Sequence, residues 1–347
     1  MAPNTRENET IYDEVEHKLE KLVPPQAGPW NYKIVYLNLL TFSYWLIAGA
    51  YGLYLCFTSA KWATIIFEFI LFFFAEMGIT AGAHRLWTHK SYKAKLPLEI
   101  FLMVLNSVAF QNTATDWVRD HRLHHKYSDT DADPHNAARG LFFSHVGWLL
   151  VRKHDEVKKR GKFTDMSDIY NNPVLKFQKK YAIPFIGAVC FILPTVIPMY
   201  FWGESLNNAW HICILRYAMN LNVTFSVNSL AHIWGNKPYD KDIKPAQNFG
   251  VTLATFGEGF HNYHHVFPWD YRTSELGDNK FNFTTKFINF FERIGLAYDL
   301  KTVSDDVIAQ RAKRTGDGTH LWDCADKNNN DVVQTKAQID TLCTKHE

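Results

Sequence analysis

From Ile34 to Phe57 the chain has no charged residue, and those 24 positions as a helix are long enough to cross a bilayer's hydrocarbon layer. A second apolar run, Trp62 to Ala83, starts after a short turn and carries only Glu68 and Glu76. So short a connection predicts an antiparallel helical hairpin. After a long hydrophilic segment a second pair appears. Ala182 to Trp202 is apolar but holds Pro184, Pro194 and Pro198, and Ala209 to Ala231 holds Arg216, Asn220, Asn222 and Asn228. Membrane helices tolerate such prolines better than soluble ones. The run Ile65 to Phe74, almost all Ile, Leu and Phe, argues against the core of a soluble helical protein. The pattern predicts an all-α membrane protein with four transmembrane helices in two hairpins, at about 34–57, 62–83, 182–202 and 209–231.

Two lesser apolar pieces fit beside the spans. Leu96 to Phe110 is too short to cross comfortably and is expected in the interface or as a re-entrant element. Phe283, Phe287, Phe290, Phe291 and Ile294 recur at helical spacing, predicting an amphipathic helix that lies on the membrane or covers a core. Residues 1–33 are polar and show no pattern of a cleaved leader, and residues 311–347 read as a polar tail. The unit between is 34–310, with a cap built from 84–181 and 232–310. Segment 84–183 holds 17 Lys or Arg against 10 Asp or Glu, with Arg85, Lys90, Lys176, Lys179 and Lys180 near span ends. That bias places the cap, and with four spans both termini, in the cytoplasm.

The composition of 47% hydrophobic residues in 347 excludes a disordered chain, and a net charge of +2 gives no support to nucleic-acid binding. The five cysteines are scattered, so a disulfide scaffold is not expected. The 16 histidines change the picture, because eight fall into three clusters. These are His84 with His89, then His121, His124 and His125, then His261, His264 and His265. In the two triplets, positions i, i+3 and i+4 share a helix face, so three imidazoles can converge. His84 and His89 are five apart and can share a site only if the helix ends or bends between them. Neutral imidazole is the commonest nitrogen ligand of transition metals, and eight are too many for one ion. Two neighbouring ions on a cytoplasmic cap are implied. A transporter would instead put its ligands near the bilayer midplane.

The wording around these clusters resembles the membrane-bound acyl-CoA desaturases, the stearoyl-CoA desaturase family, and most closely its insect members. The stretches that carry the likeness are Gly82-Ala83-His84-Arg85-Leu86-Trp87-Thr88-His89, Trp117-Val118-Arg119-Asp120-His121-Arg122-Leu123-His124-His125-Lys126 and Gly257-Glu258-Gly259-Phe260-His261-Asn262-Tyr263-His264-His265. Asp133-Pro134-His135-Asn136, Ser144-His145-Val146-Gly147-Trp148 and Asn228-Ser229-Leu230-Ala231-His232-Ile233-Trp234-Gly235 support it, and the likeness spans roughly residues 26–320.

The resemblance implies a multi-pass endoplasmic-reticulum oxidoreductase that inserts a cis double bond into a fatty acyl-CoA. It would use dioxygen, and electrons from cytochrome b5 and its reductase. Two iron ions (Fe2+/Fe3+) would be held by the eight clustered histidines and a ninth, His232, with Asn228 acting through a water. No catalytic residue beyond the metal ligands is implied, and His135 and His145 are expected to be structural. Family positions that contact the substrate match Asn38, Asn112, Arg119, Asp120, Arg152 and Lys153, while Phe225 stands where vertebrate relatives carry a tryptophan beside the acyl bend. Iron suits the task, since an unactivated methylene offers no acidic proton and no leaving group. The stretch Lys244-Pro245-Ala246-Gln247 looks like the signature of the delta-11 group of moth pheromone synthesis, apart from its lysine. Delta-11 desaturation is therefore the expectation. A delta-9 desaturase, a membrane di-iron hydroxylase and a histidine-lined metal transporter are the alternatives.

Overall fold

The computed structural model describes residues 31–274 and 281–319. The N-terminal segment to residue 30 and the tail from residue 320, with Cys324 and Cys343, lie outside the described residues. The main helices are α1 (Tyr36–Thr58), α2 (Trp62–Thr88), α3 (Leu96–Ala109), α4 (Ala114–Lys126), α5 (Ala182–Trp202), α6 (Leu206–Ile233), α7 (His261–Val266) and α8 (Phe283–Arg293). The one sheet among the described residues is a two-residue antiparallel ladder, with Lys93 opposite Tyr298 and Ala94 opposite Ala297.

Helices α1, α2 and α5 are long and apolar enough to cross a membrane. Leu37, Leu40, Ile47, Phe57, Trp62, Phe69, Ile183 and Phe201 stand exposed on their outer faces. An apolar belt of that extent requires lipid around it, and this is a membrane protein. The fourth expected span is α6, a continuous helix of 28 residues that has the length but falls short in apolarity. The shortfall has a structural cause: α6 supplies polar groups to the interior. Buried Arg216 donates from Nε to Glu68 at 2.8 Å and from its terminal nitrogens to the carbonyls of Val108 (3.2 Å) and Cys190 (2.7 Å). Asn220 donates to Glu76 Oε1 at 2.6 Å. Both carboxylates inside the second apolar run are thus partnered by α6.

The two hairpin tips lock together at the end of the bundle remote from the cap. Lys61 donates from Nζ to the carbonyls of Trp202 (2.6 Å) and Gly203 (2.8 Å). Glu204 accepts from the Lys61 backbone (2.8 Å) and the Thr64 hydroxyl (2.7 Å). Close crossings hold the rest in register. A Cβ at Gly52 would lie 2.1 Å from the His211 carbonyl oxygen of α6, and one at Gly78 would lie 2.2 Å from the Asn106 nitrogen of α3. No side chain larger than hydrogen fits at either position. Helix α3 lies against the inner half of α2. The amphipathic helix α8 covers the same core, with Phe287 and Phe291 beside Phe101 at ring separations of 6.5 and 6.0 Å.

Breaking a buried ion pair strands a charge, at a cost of about 3–5 kcal/mol, whereas removing both partners costs much less. Arg216→Met alone is therefore expected to lower the unfolding temperature of the detergent-purified protein more than the Glu68→Gln/Arg216→Met double variant does. Thermal unfolding followed by fluorescence-detected gel filtration checks that order.

Candidate metal centre

Four backbone segments deliver histidines to one place in the cap. α2 begins as an α-helix and widens at Gly78–Thr88 into a π-helix. The i→i+5 bonding of a π-helix sets residue i+5 close above residue i, and His89 N–H indeed donates to the His84 carbonyl at 3.1 Å. The two rings end with centroids 4.9 Å apart. An ideal α-helix would separate them; here the helix widens to π pitch and then ends at Thr88, with His89 as its C-cap.

α4 starts at Thr113, whose hydroxyl accepts from the Asp116 N–H at 3.3 Å, and runs straight through the first triplet. α7 has only six residues, too few to be a stable helix by itself. Asn262 fastens it: Oδ1 accepts from the backbones of Tyr239 (2.8 Å) and Asp240 (3.1 Å), and Nδ2 donates to the carbonyls of Asp240 and Pro245 (2.9 Å each).

The nine histidines form two groups, His84, His89, His121, His125 and His264 in one, His124, His232, His261 and His265 in the other. Ring nitrogens within each group lie within 4.8 Å of one another. The triplets do not each face one site, as their shared helix face suggested. Each sends i and i+4 to one group and i+3 to the other, so α4 and α7 exchange a ligand and interlock. His232 comes from the end of α6. Its isolated position in the sequence carries no spacing signal, and only the family likeness pointed to it.

The far sides of three rings are held by carboxylates. His84 Nδ1 lies 2.9 Å from Glu258, His124 Nδ1 2.9 Å from Asp133, and His232 Nδ1 3.1 Å from Asp129. None of these three acids was singled out from the sequence, although Asp133 and Glu258 lie inside the matching stretches. Arg85, counted above among the cations near the span ends, is fully buried, donating to Glu258 at 2.8 and 3.0 Å and to the Tyr271 carbonyl at 2.9 Å.

Burial opposes charge on Glu258, yet Arg85 and His84 hold its carboxyl down at about 2. Burial likewise opposes Asp133, which His124 nevertheless holds at about 2. In the other direction, burial first and neighbouring rings second push His121, His125, His261, His264 and His265 well below the ordinary imidazole value. These rings are neutral, the form that binds metal.

The donor set fits metal ions on its own chemistry. A ring whose Nδ1–H is committed to a carboxylate presents a bare lone pair at Nε2. His84 Nε2 nevertheless lies 2.9 Å from His264 Nε2, which lies 3.0 Å from His125 Nε2. In the second group His261 Nε2 stands 2.9 Å from His232 Nε2 and 3.1 Å from His265 Nε2. Buried Nε2 atoms of His89, His121 and His124 have no hydrogen-bond partner. Inward-facing ring nitrogens, several of them without a hydrogen-bond partner, are the donor set of a metal ion, and each group can hold one. His145 sits apart from both cages, 2.9 Å from the Ser229 hydroxyl, whereas His135 packs edge-on to Trp148 at 4.3 Å and forms a third close group with His124 and Asp133.

A cavity of about 230 Å³ leads to this centre. Asn38, Asn112 and Asp120 stand on its wall with His121, Asn228 and the apolar rings of Phe42, Trp45, Phe110, Tyr217 and Phe225. Trp117 donates to Gln111 Oε1 at 3.2 Å and Gln111 donates to Thr224 at 2.7 Å, a polar tie across its middle. Of the other expected substrate contacts, Lys153 pairs with Asp120, and Arg119 donates to the same carboxylate at 3.1 and 3.2 Å. Arg152 is exposed and off the wall. A smaller cavity joins Glu76, Thr80, His84, Asn228, Glu258 and His261.

Comparison with known proteins agrees with this arrangement. The family model described as fatty acid desaturase matches residues 59–280. The acyl-CoA Delta(11) desaturase of Spodoptera littoralis is 70% identical over 95% of this chain and 98% of its own. The (11Z)-hexadec-11-enoyl-CoA conjugase of Bombyx mori is 67% identical over 92% and 98%, and the acyl-CoA Delta-9 desaturase of Acheta domesticus 53% identical over 94% and 95%. The chain belongs to the fatty acid desaturase family and is an oxidoreductase.

Loss of an orienting partner behind a metal-bound histidine typically costs 10–100-fold in metal affinity. Glu258→Gln and Asp133→Asn should therefore lower metal per chain after dialysis against a weak chelator, measured by elemental mass spectrometry. Glu76→Gln keeps the acceptor that Asn220 uses and should retain wild-type metal.

Proposed function

We propose that this protein is a delta-11 acyl-CoA desaturase acting on saturated C14 to C16 chains, with two irons held by the nine histidines and by Asn228 through a water. The observation that carries the reading is the juxtaposition of two all-nitrogen cages with an apolar cavity whose wall includes His121 and Asn228. The near-full-length similarity to Delta(11) desaturases of moths supports the position of the double bond. When bound, iron supplies the activation of dioxygen that removal of hydrogen from an unactivated methylene requires.

The chain's own groups do the rest. Asn38, Asn112 and Asp120, with Arg119 and Lys153 tied to that acid, form a polar mouth suited to the phosphates and amides of coenzyme A. Aromatic rings beyond the mouth bury the acyl tail and exclude water. The Trp117–Gln111–Thr224 tie braces the wall beside His121, where Trp117 packs on the His121 ring at 4.7 Å, and this fixes one carbon–carbon bond beside the cages. One acyl CH2–CH2 supplies two electrons and two protons, and reduction of dioxygen to two waters consumes four of each. Two electrons must come from outside, and cytochrome b5 with its reductase is the proposed source. The exposed cations Lys176, Lys179 and Lys180 support a cytoplasmic cap, and with α6 as the fourth span both termini face the cytoplasm of the endoplasmic reticulum.

Expression in a yeast lacking its own desaturase tests this reading. Palmitate-derived products should carry their double bond at carbon 11, located by derivatisation and mass spectrometry. Unsaturation confined to carbon 9 would sink the delta-11 assignment, and hydroxy acids would sink desaturation itself. His124→Ala and His261→Ala should accumulate in the membrane and yield no unsaturated product.

A further inference from the structure

On the outer face of the bundle a small apolar pocket of about 40 Å³ lies between α1 and α6. Leu46, which is 54% exposed, and exposed Asn222 stand at its rim with Val146. Its inner wall is Phe42, Trp45, Leu221 and Phe225, and the same four residues line the acyl cavity behind it. The Phe42 and Phe225 rings stand 6.4 Å apart, and Trp45 meets Tyr217 edge-on at 4.8 Å. Lipid and acyl cavity are therefore separated here by a thin aromatic wall.

The seam between α1 and its neighbours is built unevenly. Asn38, Phe42, Trp45, Gly49 and Gly52 share one face of α1. Its lower end is pinned against α6: a Cβ on Gly49 would lie 3.2 Å from the Ala218 Cβ, and Gly52 admits none. At the cytoplasmic end α1 meets instead the segment that carries His145 and Trp148. Val35 N–H donates to the Leu150 carbonyl and Arg152 N–H to that of Lys33, at 2.8 Å each. Asn38 Nδ2 donates to the Leu149 carbonyl at 2.7 Å, and Tyr32 accepts from Arg139 at 3.2 Å. His145 fastens the same segment to α6, through Ser229 (2.9 Å) and Asn222 (3.1 Å). Bonds at the rim, aromatic packing below them and a tight crossing lower down make α1 a flap hinged near Gly49.

We propose that this seam is a side entrance to the acyl cavity. The cytoplasmic end of α1 parts from segment 149–152 and from α6, and the tail of a membrane-borne acyl-CoA slides in between them. The proposal rests on the desaturase reading above. An acyl-CoA keeps its tail in lipid and its coenzyme A in water. Threading that tail methyl end first would draw every methylene out of lipid past the polar groups of Asn38, Asn112 and Asp120, and each one costs free energy. Side entry keeps the tail in apolar surroundings throughout, while the head group moves along the interface into the mouth. Mouth and outer pocket lie on one seam: Asn38 stands on the cavity wall, and Phe42, one turn below it, belongs to both walls.

The bridge between Ile34 and Val151 supplies a clamp. The bonds that flank it make these two a non-hydrogen-bonded antiparallel pair, whose Cα atoms stand about 4.5 Å apart, within reach of a disulfide. Full-length Ile34→Cys/Val151→Cys protein in vesicles is compared clamped and after opening with dithiothreitol. Peptide mass spectrometry verifies the clamp, and wild type goes through the same treatment. Clamped protein given palmitoyl-CoA should turn over about tenfold more slowly than opened protein. Protein loaded under nitrogen, clamped with diamide, and then given air and reduced cytochrome b5 should make about one product per chain and retain it through gel filtration. Binding of free coenzyme A should be unchanged. Undiminished turnover by the clamped protein overturns the side entrance, because the tail then enters without parting the seam. A loaded, clamped chain that makes no product overturns it as well, by placing the effect of the clamp on the centre. Lost affinity for free coenzyme A does the same, by making the seam part of the head-group site. Absence of unsaturated product from opened and wild-type protein alike would instead remove the desaturase reading beneath it.

Discussion

Nine imidazoles aimed inward at two points are the constraint to which the rest of the molecule answers. Buried polar rings are costly unless their hydrogen-bonding atoms are used, and here the inward nitrogens have only each other and whatever cation they share. Orientation must therefore be imposed from behind. Glu258, Asp133 and Asp129 do so by fixing the Nδ1 atoms of His84, His124 and His232. Arg85 in turn fixes Glu258, and its remaining donors reach Tyr271 and Thr285, so one buried guanidinium ties α2 to the segments around α7 and α8. The exchange of His124 and His264 between cages adds mechanical coupling. Neither α4 nor α7 can rotate without spoiling both groups.

The membrane bundle serves the same end from below. A seam of polar pairs runs through its interior along α6: Arg216 with Glu68, Asn220 with Glu76, and Thr224 with Gln111. These contacts climb one face of the helix toward Asn228 and His232. They set the rotation of α6 about its axis, and with it the direction in which the last ligand points. The cost of that seam in apolarity is why α6 reads as the weakest span while being the longest helix in the fold.

Hydropathy made three spans, the short α3 and the amphipathic α8 legible, because each reports burial against lipid or core directly along the chain. The clusters around His84, His121 and His261 were legible for a related reason: imidazole density is a chemical signal that needs no geometry. What stayed hidden was three-dimensional. Local spacing assumes an α-helix, so the π-helical step between His84 and His89 could not be read. A shared face likewise does not reveal that two sites lie on either side of its midline, so the split of each triplet was lost. Arg85, Asp129, Asp133 and Glu258 look like ordinary surface charges until their long-range partners are known.

The placement of Lys244-Pro245-Ala246-Gln247 bears on how the position of a double bond is set. None of these residues lines the acyl cavity. Ala246 N–H donates to the Ala231 carbonyl at 2.7 Å, next to His232, and the Pro245 carbonyl accepts from Asn262, next to His261. Gln247 N–H donates to the Asn236 carbonyl at 2.7 Å, and Gln247 forms a further bridge with Phe260. The segment is thus a spacer between two of the three backbones that deliver the second cage. Consecutive methylenes of an acyl chain are chemically alike, so selection among them is a matter of register between the polar mouth and the cages. A spacer changes that register by moving the cage, while wall residues such as Phe225 change it by moving the chain. A relative named as a Delta(11) desaturase and one named as a conjugase stand at 70% and 67% identity to the same chain. A spacer that touches both the His232 and the His261 segments is where a small displacement acts on both at once.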